Sequence, residues 1–312
     1  MSESGKSEGE LIEWIRGASR AKDAAVAIGI GDDMAMIRTG GNVLMTVDML
    51  MDGVDFDTAA HAPETIGRKA LAVGLSDCAA MAVRPRWALV STALPNAWSM
   101  EQARRLHTGI ESLAAQFDVQ IIGGDTNSWN RPLVIDVIVL AEPWPGVQPV
   151  TRNGMRPGDV VSVTGKIGGS LAGHHLTFEP RVHEARQLAE ALGDDLHATI
   201  DLSDGLSTDA HHLATASRCG IELDESALLS VASEAARATS GQDNTAALLN
   251  HVLNDGEDFE LLFAYAGTRV ATIQDVEIHR IGQAIEQPGV WLKRIDGSRV
   301  EIESRGWQHF RE

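Results

Sequence analysis

The stretch RKALAVGLSDCAAMAVRPRWALVSTALP, residues 68–95, decides the fold because it joins a helix directly to a strand. The helix is predicted to begin at Pro63 and to run through Val83. Proline is favoured at the first helical position, and the many small apolar residues that follow suit deep burial. Residues 87–94 then predict a strand.

Helices and strands alternate on both sides of this stretch. Ser99 and Gln102 have the spacing of a capping box and predict the start of another helix. A later helix, residues 207–219, is predicted to end at Gly220. Further strands are predicted at residues 43–50, 119–122, 133–141, 160–164 and 259–265. The alternation predicts an α/β (α+β) fold.

Prolines and glycines are concentrated between residues 145 and 159, which predicts a junction between domains. We place the boundary at residue 148. The N-terminal domain is then residues 1–148 and the C-terminal domain residues 149–312. A chain of 312 residues is long enough for two domains that each bury a core.

Composition narrows the class of protein. With 44% hydrophobic and 22% charged residues, the chain is typical of a globular protein. A net charge of -18 without a Lys or Arg cluster argues against nucleic acid as a partner. The longest apolar run, residues 133–141, contains Asp136 and is too short to span a membrane. The two cysteines, Cys78 and Cys219, predict buried thiols, and a cytoplasmic location without a targeting segment is expected.

Aspartates recur where apolar segments meet glycine-rich or polar turns. They are Asp32 with Asp33, Asp48, Asp77, Asp125, and Asp201 with Asp204. An ionised carboxylate at the edge of a core needs hydrogen-bond donors or a cation. Taken singly, each aspartate also fits a structural role as a helix cap, an Asx-turn or part of an exposed loop. Together they predict a site for a hard cation, Mg²⁺ before Ca²⁺ or Mn²⁺, because every ligand is an oxygen.

Magnesium in turn indicates a phosphate-bearing substrate, and ATP fits best. Backbone N–H groups of Gly123, Gly124 and Gly205 are available for phosphate oxygens. The chain has no GxxxxGK[ST] loop, and the GIG at residues 29–31 lacks the third glycine of a dinucleotide fingerprint. Two adjacent histidine pairs on predicted helices are interpreted as surface or satisfied core residues rather than ligands. They are His174-His175 and His211-His212.

Seven motifs in a fixed order carry a resemblance to a known family: GIGDDMAMI, TVDMLMDGVDF, RKALAVGLSDCAAMAVRPRWALVSTALP, IGGDT, TRNGMRPGD, IDLSDGLSTD and GEDFELLF. Over nearly its whole length the chain resembles the thiamine-monophosphate kinase family. The resemblance implies a two-domain fold like that of aminoimidazole ribonucleotide synthetase. The N-terminal sheet would form a barrel across a homodimer, and the C-terminal domain would be a mixed sheet with helices. ATP and several Mg²⁺ ions would lie between the domains.

The resemblance also assigns roles to individual residues. The implied magnesium ligands are Asp33, Thr46, Val47 through its backbone, Asp48, Asp77, Asp125, Asp201 and Asp204. Among them, Asp48 and Asp204 are expected to act in catalysis through the metal. The implied contacts to ATP are Gly124, Asp125, Arg152 and Ser203. The implied contacts to the second substrate are Asp55, Glu257 and Trp307.

This chain departs from the family pattern in its substrate-binding motifs. Asp55 stands where some members have histidine, so it is interpreted as facing a cationic thiazolium rather than a phosphate. Asn254 and Asp255 stand where glycines occur, whereas Glu257 keeps its place in the motif. Trp307 is expected to stack on the substrate pyrimidine, with packing at the edge of the domain as the alternative.

The implied reaction is direct transfer of the terminal phosphate of ATP to thiamine monophosphate, giving thiamine diphosphate. No general base is required, because the attacking phosphate oxygen is already anionic. Two alternatives stay open. One is a related ATP-dependent enzyme with a different acceptor, such as a ribonucleotide amide, and the other is a non-catalytic module that binds ATP or metal.

Overall fold

The structure is a computed structural model that describes residues 14, 15, 17, 23–28, 36–241, 244–267 and 277–307. The chain forms two compact units. The N-terminal unit comprises Met1–Cys78 with Arg84–Pro143, and the C-terminal unit comprises Ala79–Val83 with Trp144–Glu312. No helix in the described ranges combines the length and apolar character needed to cross a membrane.

A four-stranded sheet lies at the centre of the N-terminal unit. The strands along this part of the chain are β1 (Val26–Ile28), β2 (Met36–Ile37), β3 (Leu44–Met51), β4 (Val83–Pro95), β5 (Gln120–Trp129) and β6 (Val134–Pro143). β1 pairs with β2, and the strands of the four-stranded sheet follow the order β3-β6-β4-β5. β3 runs antiparallel to β6, with Asp48 opposite Val137, while β4 runs parallel to β5. The predicted strands are confirmed, although β4 and β5 extend beyond their predicted ends.

Two helices accompany this sheet, α1 (Pro63–Ala80) and α2 (Met100–Gln116). Pro63 opens α1, as predicted, because its missing N–H would have no partner in the first turn. At the start of α2, the Ser99 hydroxyl accepts the Gln102 N–H and the Gln102 side chain accepts the Ser99 N–H. The predicted capping box is therefore confirmed.

Glycines bring the backbones of α1 and α2 into direct contact. A Cβ on Gly67 would lie 2.0 Å from the carbonyl oxygen of Leu106, and one on Gly109 would lie 1.9 Å from that of Glu64. Arg105 donates two hydrogen bonds to the Glu64 carboxylate, of 2.6 and 2.8 Å, at the same crossing. Any larger residue at either glycine would force the two helices apart.

The C-terminal unit is built on a seven-stranded mixed sheet. Its strands are β7 (Val160–Thr164), β8 (Leu196–Asp201), β9 (Gly220–Asp224), β10 (Leu261–Tyr265), β11 (Ile278–Ile285), β12 (Gly289–Lys293) and β13 (Arg299–Ile302). Their order is β13-β12-β9-β11-β7-β10-β8, and β12 pairs with β9 in the parallel direction. Fully buried apolar residues such as Val163, Leu262 and Ile281 form the core of this sheet.

Helices cover this second sheet. They are α3 (His174–Thr177), α4 (Val182–Leu192), α5 (Leu206–Ser217), α6 (Glu225–Val231), α7 (Glu234–Ser240) and α8 (Thr245–Asn254). α5 contributes Leu206, Ala210 and Leu213 to the core, and α8 contributes Val252. The short helices α6 and α7 are preceded by the N-cap residues Asp224 and Ser233, whose side chains each accept a backbone N–H of the first turn.

Gly220 does not end a helix, so that prediction is wrong. α5 ends at Ser217, and Arg218 takes the left-handed conformation with φ of 57°. Gly220 instead begins β9, where a Cβ would lie 1.9 Å from the carbonyl oxygen of Gln287. Close approach of two backbones, rather than a turn, explains the glycine.

Candidate functional site

In the N-terminal unit, strand β3 and helix α1 bring three oxygen-bearing side chains together. Thr46 and Asp48 are two residues apart on β3, so their side chains point to the same face. The Thr46 hydroxyl donates a hydrogen bond to Asp77 on α1. On the same helix, a Cβ on Gly74 would lie 3.3 Å from Oδ2 of Asp48 and 2.8 Å from Val139. Glycine at position 74 therefore lets α1 approach the face that carries Asp48.

These carboxylates give the surroundings a negative potential. Burial raises the pKa of the Cys78 thiol well above its usual range, and the charges of Asp77 and Asp48 raise it further. A bound cation would neutralise this potential. Val47, between the two ligand positions on β3, points to the opposite face with its side chain 60% exposed, so only its backbone is available toward Thr46 and Asp48.

Gly124 and Asp125 lie on strand β5 of the same unit. A Cβ on Gly124 would lie 1.9 Å from the carbonyl oxygen of Val90, so no larger side chain fits beside β4. Asp125 is exposed, and its carboxylate accepts the N–H of Thr126 at 2.9 Å. Asp33, the remaining ligand predicted in this half of the chain, lies outside the described residues.

Asp55 lies in the turn that follows β3. Its carboxylate accepts the N–H of Met51 at 2.7 Å, and its carbonyl oxygen accepts a hydrogen bond of 2.6 Å from the ammonium group of Lys69. Lys69 is fully buried. Hydrogen bonds therefore hold both the side chain and the main chain of Asp55, while the residue stays partly accessible to solvent.

In the C-terminal unit, the turn between β8 and α5 presents a second group of carboxylates. Asp201 ends β8 and is 2% exposed, whereas Asp204 is partly exposed in the turn. Asp209, on the first turns of α5, is 1% exposed and accepts the N–H groups of Asp204 at 3.2 Å and Gly205 at 3.1 Å. Burial raises the pKa of Asp209 well above its usual range, and the charges of Asp201 and Asp204 raise it further.

His212 completes this group. Its Nε2 lies 3.9 Å from Oδ2 of Asp204. One oxygen each of Asp204 and Asp209 and one ring nitrogen of His212 lie within 4.8 Å of one another. By contrast, His211, its neighbour in sequence, uses Nδ1 to contact the carbonyl oxygen of Ser207 at 2.6 Å.

Glu257 lies in a strained loop before β10. It has a φ of 63° and Phe259 a φ of 52°, both in the left-handed region that non-glycine residues rarely adopt. The N–H of Glu257 donates to the carbonyl oxygen of Ser203 at 2.8 Å. Between the two strained residues, Asp258 accepts the N–H of Gly168 with both carboxylate oxygens at 2.9 Å. The hydrogen bond from Glu257 to Ser203 therefore holds this loop against the segment that carries Ser203.

Trp307 and Arg152 are the remaining predicted residues. The Trp307 side chain is 54% exposed, and its N–H donates to the carbonyl oxygen of Asp204 at 2.9 Å. Arg152 is exposed, and its carbonyl oxygen accepts a hydrogen bond of 2.7 Å from Ser217. Within the C-terminal unit, Asp204, Ser203, Glu257 and Trp307 thus belong to one hydrogen-bonded neighbourhood.

The sequence does not single out Asp209, and it leads to the interpretation of His212 as a surface or satisfied core residue rather than a ligand. Their spacing is the signal that was available: residues three apart on a helix share a face, and Asp209 follows Asp204 by five residues within IDLSDGLSTD. Adjacent helical residues such as His211 and His212 face in different directions. Only His212 of that pair lies beside the carboxylates.

Comparison with known proteins identifies the family. Residues 31–142 match the family model described as AIR synthase related protein, N-terminal domain. The thiamine-monophosphate kinase of Rhodopirellula baltica is 38% identical over 317 residues, which cover 97% of each chain. This chain belongs to the thiamine-monophosphate kinase family. The thiamine-monophosphate kinase of Escherichia coli strain K12 is 30% identical, over 93% of this chain and 94% of the relative.

Solved structures of thiamine-monophosphate kinases share the fold. The crystal structure of the enzyme from Stenotrophomonas maltophilia superposes with a TM-score of 0.78 at 30% identity and covers 92% of this chain and 96% of that one. The AaThiL structure complexed with AMPPCP and TMP matches with a TM-score of 0.71 at 27% identity over 99% of both chains. Hydrogenase maturation protein HypE, at 17% identity and a TM-score of 0.76, shares the fold alone.

The donor atoms of both groups fit magnesium. In this thiamine-monophosphate kinase family member, Thr46, Asp48 and Asp77 offer a hydroxyl and two carboxylates, and Asp201 with Asp204 offers two more carboxylates. Hard oxygen ligands of this kind are those that Mg²⁺ prefers. The His212 nitrogen is a poorer ligand for this ion, so it is not assigned to it.

Proposed function

We propose that this chain catalyses the ATP-dependent phosphorylation of thiamine monophosphate to thiamine diphosphate. One observation carries the proposal. A family relationship over 97% of the chain coincides with a group of oxygen ligands in each compact unit. A phosphotransferase that acts on two phosphate-bearing substrates needs such ligands for magnesium.

The residues take the following roles in the proposal. The magnesium ligands are Asp33, Thr46, Val47 through its backbone, Asp48, Asp77, Asp125, Asp201 and Asp204. Contacts to ATP are made by Gly124, Asp125, Arg152 and Ser203. Contacts to thiamine monophosphate are made by Asp55, Glu257 and Trp307. Support comes from the oxygen chemistry of the ligand groups and from the hydrogen bonds that join Ser203, Glu257, Asp204 and Trp307.

Charge is the main obstacle to this reaction. Two unit charges about 4 Å apart repel by roughly 1 kcal/mol in water and by about 4 kcal/mol at an effective dielectric constant near 20. Bound Mg²⁺ supplies the positive charge that offsets the phosphates and carboxylates. The residues of the chain orient the substrates, so that the anionic phosphate of the acceptor lies in line with the bond to be broken. No residue has to remove a proton from this phosphate.

Asp55 and Trp307 are proposed to recognise the organic part of the acceptor. The Asp55 carboxylate is held by the Met51 N–H and is partly accessible, so it offers a fixed negative charge to the thiazolium cation. Trp307 is 54% exposed, and its ring offers a face on which a pyrimidine can stack.

We further propose that the enzyme is a homodimer and that strand β3 lies at the interface. Met45, Val47, Met49 and Met51 are all exposed on one face of β3, at 71%, 60%, 59% and 38%. Among the strands that the structure describes, β3 lies at the edge of its sheet. A second copy that continued this sheet into a barrel would bury the apolar face.

The two domains proposed from the sequence have different roles in the proposal. Residues 1–148 form the domain for ATP and magnesium binding and for dimerisation, and residues 149–312 form the C-terminal α/β domain. A cytoplasmic location fits the two cysteines, Cys78 and Cys219, which are both buried and free of disulfide bonds.

Product analysis tests the proposed reaction. Purified protein, ATP and Mg²⁺ are incubated separately with thiamine monophosphate, thiamine and formylglycinamidine ribonucleotide, and the products are identified by mass. We expect thiamine diphosphate and ADP from the monophosphate alone. Phosphorylation of another acceptor would overturn the proposed substrate, and ATP binding without transfer to any acceptor would favour a non-catalytic module.

Two ligand variants test the magnesium assignment. Asp48→Asn and Asp204→Asn are each expected to lower turnover at least about a hundredfold, because a neutral amide is a poor substitute for a carboxylate ligand. Asp194→Asn, an exposed carboxylate elsewhere in the C-terminal unit, is the matched control and is expected to keep wild-type turnover. Full activity of either ligand variant would contradict the assignment.

A further inference from the structure

Residues 304–307 lie across the first turn of α5 and are held there by two buried hydroxyl groups. The N–H of Gly306 donates to Oγ1 of Thr208 at 3.1 Å, and the same oxygen contacts Oγ of Ser304 at 2.9 Å. The N–H of Arg305 donates to Oγ of Ser207 at 3.2 Å. Ser207 is 0% and Thr208 is 3% exposed.

The backbone fits this place so closely that only glycine is accommodated at position 306. A Cβ on Gly306 would lie 2.0 Å from the carbonyl oxygen of Asp204 and 2.7 Å from Oγ1 of Thr208. The next residue, Trp307, donates its N–H to that same Asp204 oxygen. The Thr208 hydroxyl and the Asp204 carbonyl together fix the backbone immediately before the exposed Trp307 ring.

We propose that Thr208 is a positioning residue for the acceptor. By holding Ser304 and Gly306, its hydroxyl fixes the Trp307 ring relative to Asp204, so that binding of the acceptor is coupled to the carboxylate that holds magnesium. The proposal rests on the proposed function, in which Trp307 stacks on the pyrimidine of thiamine monophosphate. Thr208 touches neither substrate, and it acts only through residues 304–307.

Ser207 connects residues 304–307 to the segment that precedes Glu257, the other proposed acceptor contact in the C-terminal unit. Besides accepting the Arg305 N–H, its hydroxyl donates to Oδ1 of Asn254 at 2.8 Å. Asn254 ends α8, three residues before Glu257. Two successive hydroxyls at the start of α5 thus hold both segments that carry proposed acceptor contacts. Hydroxyls that served helix capping alone would not need partners in residues 304–306 and at Asn254.

Kinetics of three variants test the proposal. Thr208→Val keeps the shape but removes the hydroxyl, and Thr208→Ser keeps the hydroxyl. We expect Thr208→Val to raise KM for thiamine monophosphate about tenfold with a much smaller change in KM for ATP, because one lost buried hydrogen bond corresponds to roughly that factor. Thr208→Ser is expected to restore the wild-type value. Thr215→Val, the same change at an exposed position of α5, is the matched control.

A double-mutant cycle with Trp307→Ala shows whether Thr208 acts through the ring. If it does, Thr208→Val has little further effect on KM for thiamine monophosphate once the ring is absent. Additive effects of the two substitutions, or equal increases in both KM values, would overturn the proposal. Should Thr208→Val fold poorly, Ser304→Ala removes the partner hydroxyl, which lies outside the helix. It is then combined with Trp307→Ala in the same double-mutant cycle.

Hydrogen exchange separates this proposal from the assignment of the reaction. In the substrate-free protein, Thr208→Val is expected to speed amide exchange in a peptide covering Gly306 and Trp307, with Thr215→Val unchanged. Unchanged exchange would refute the anchoring role even in an active enzyme. Faster exchange in a variant of a protein that does not phosphorylate thiamine monophosphate would support the anchoring role of Thr208 and refute the proposed substrate.

Discussion

Asp209 shapes the backbone that carries Asp204. Its buried carboxyl accepts two successive N–H groups, those of Asp204 and Gly205. Gly205 adopts a φ of 106°, where a side chain would be strained. Oδ2 of Asp209 thus binds the backbone of the turn that carries Asp204.

Asp258 plays a similar part for the loop that carries Glu257. It is 3% exposed and binds the Gly168 N–H, while the neighbouring Asp255 binds the Gly169 N–H at 2.7 Å. Burial raises the pKa of Asp258 well above its usual range, the Gly168 hydrogen bond opposes this, and the charges of Glu260 and Asp255 raise it further. Ionisation of this group is therefore less favourable in the folded protein than in the unfolded chain.

This raised pKa predicts how stability depends on pH. Below about pH 4 Asp258 is protonated in both states, and as pH rises the unfolded chain ionises first. The contribution of Asp258 to the free energy of unfolding therefore falls from about pH 4 until pH passes its raised value. Asp258→Asn cannot ionise, so the stability of the variant relative to wild type should improve with rising pH. Urea unfolding at a series of pH values between about 4 and 8 measures this difference.

The exposed Asp194 again provides the control. Asp194→Asn should give a pH profile of stability parallel to that of the wild type, because it replaces an exposed carboxyl and leaves the buried Asp258 in place. A parallel profile for Asp258→Asn as well would mean that the buried carboxyl has an ordinary pKa.

The site residues differ in how far the sequence reveals them. Asp48 and Asp77 stand out because each is a lone carboxylate within an apolar segment, and the structure confirms that their segments, β3 and α1, pack together. Asp258 gives no such signal. Its partner is the N–H of Gly168, 90 residues away in the chain, and no local pattern encodes a backbone donor at that distance.

At the scale of elements, the crossing of α1 and α2 depends on two glycines. Gly67 and Gly109 place the backbone of each helix against a carbonyl oxygen of the other. α1 also carries Asp77, and it approaches the face of Asp48 through Gly74. These three glycines therefore fix the position of α1, which carries Asp77, a proposed magnesium ligand.

Gly109→Ala tests this dependence. A methyl group there would lie 1.9 Å from the backbone oxygen of Glu64, which cannot move aside as a side chain would. Alanine improves helix propensity by up to about 1 kcal/mol, whereas overpacking of a closed interface costs about 1–3 kcal/mol. We expect a net loss of about 1–2 kcal/mol in the free energy of unfolding, measured in urea.

Gly41→Ala is the corresponding control, because no atom lies within 4 Å of a Cβ at that position. Its effect should stay within about 0.5 kcal/mol. A Gly109→Ala protein as stable as the wild type would show that the helices separate at no cost.

The ends of the helices and strands show which sequence signals depend only on neighbouring residues. The capping box at Ser99 and the proline at the start of α1 were predicted correctly, because each depends on residues within one turn. The prediction at Gly220 is wrong because the glycine is required by the carbonyl oxygen of Gln287, which lies in the turn between β11 and β12. Helices α6 to α8 were not predicted: they are 7 to 10 residues long and too short for a clear hydrophobic period.

At the scale of the whole molecule, the exposed face of β3 and β6 is the feature that a single chain leaves unexplained. The pairs across the two strands are Met45 with Leu140, Val47 with Ile138, Met49 with Asp136, and Met51 with Val134. Within this apolar face, Oδ1 of Asp136 is shielded from solvent and has no hydrogen-bond partner among the described residues. The apolar pairs around it agree with the proposed homodimer, which would bury them.

Met45→Lys is the variant that tests this assembly. Met45 is 71% exposed in the single chain, so lysine is compatible with folding, but its charge would be buried without a partner in a dimer. We expect the wild type to sediment as a dimer and Met45→Lys as a folded monomer at micromolar concentration. Ile295→Lys is the matched control: Ile295 is 69% exposed in the turn between β12 and β13, far in sequence from β3, and its variant should remain dimeric. If the wild type is a monomer, or if both lysine variants stay dimeric, the β3 face is not the interface.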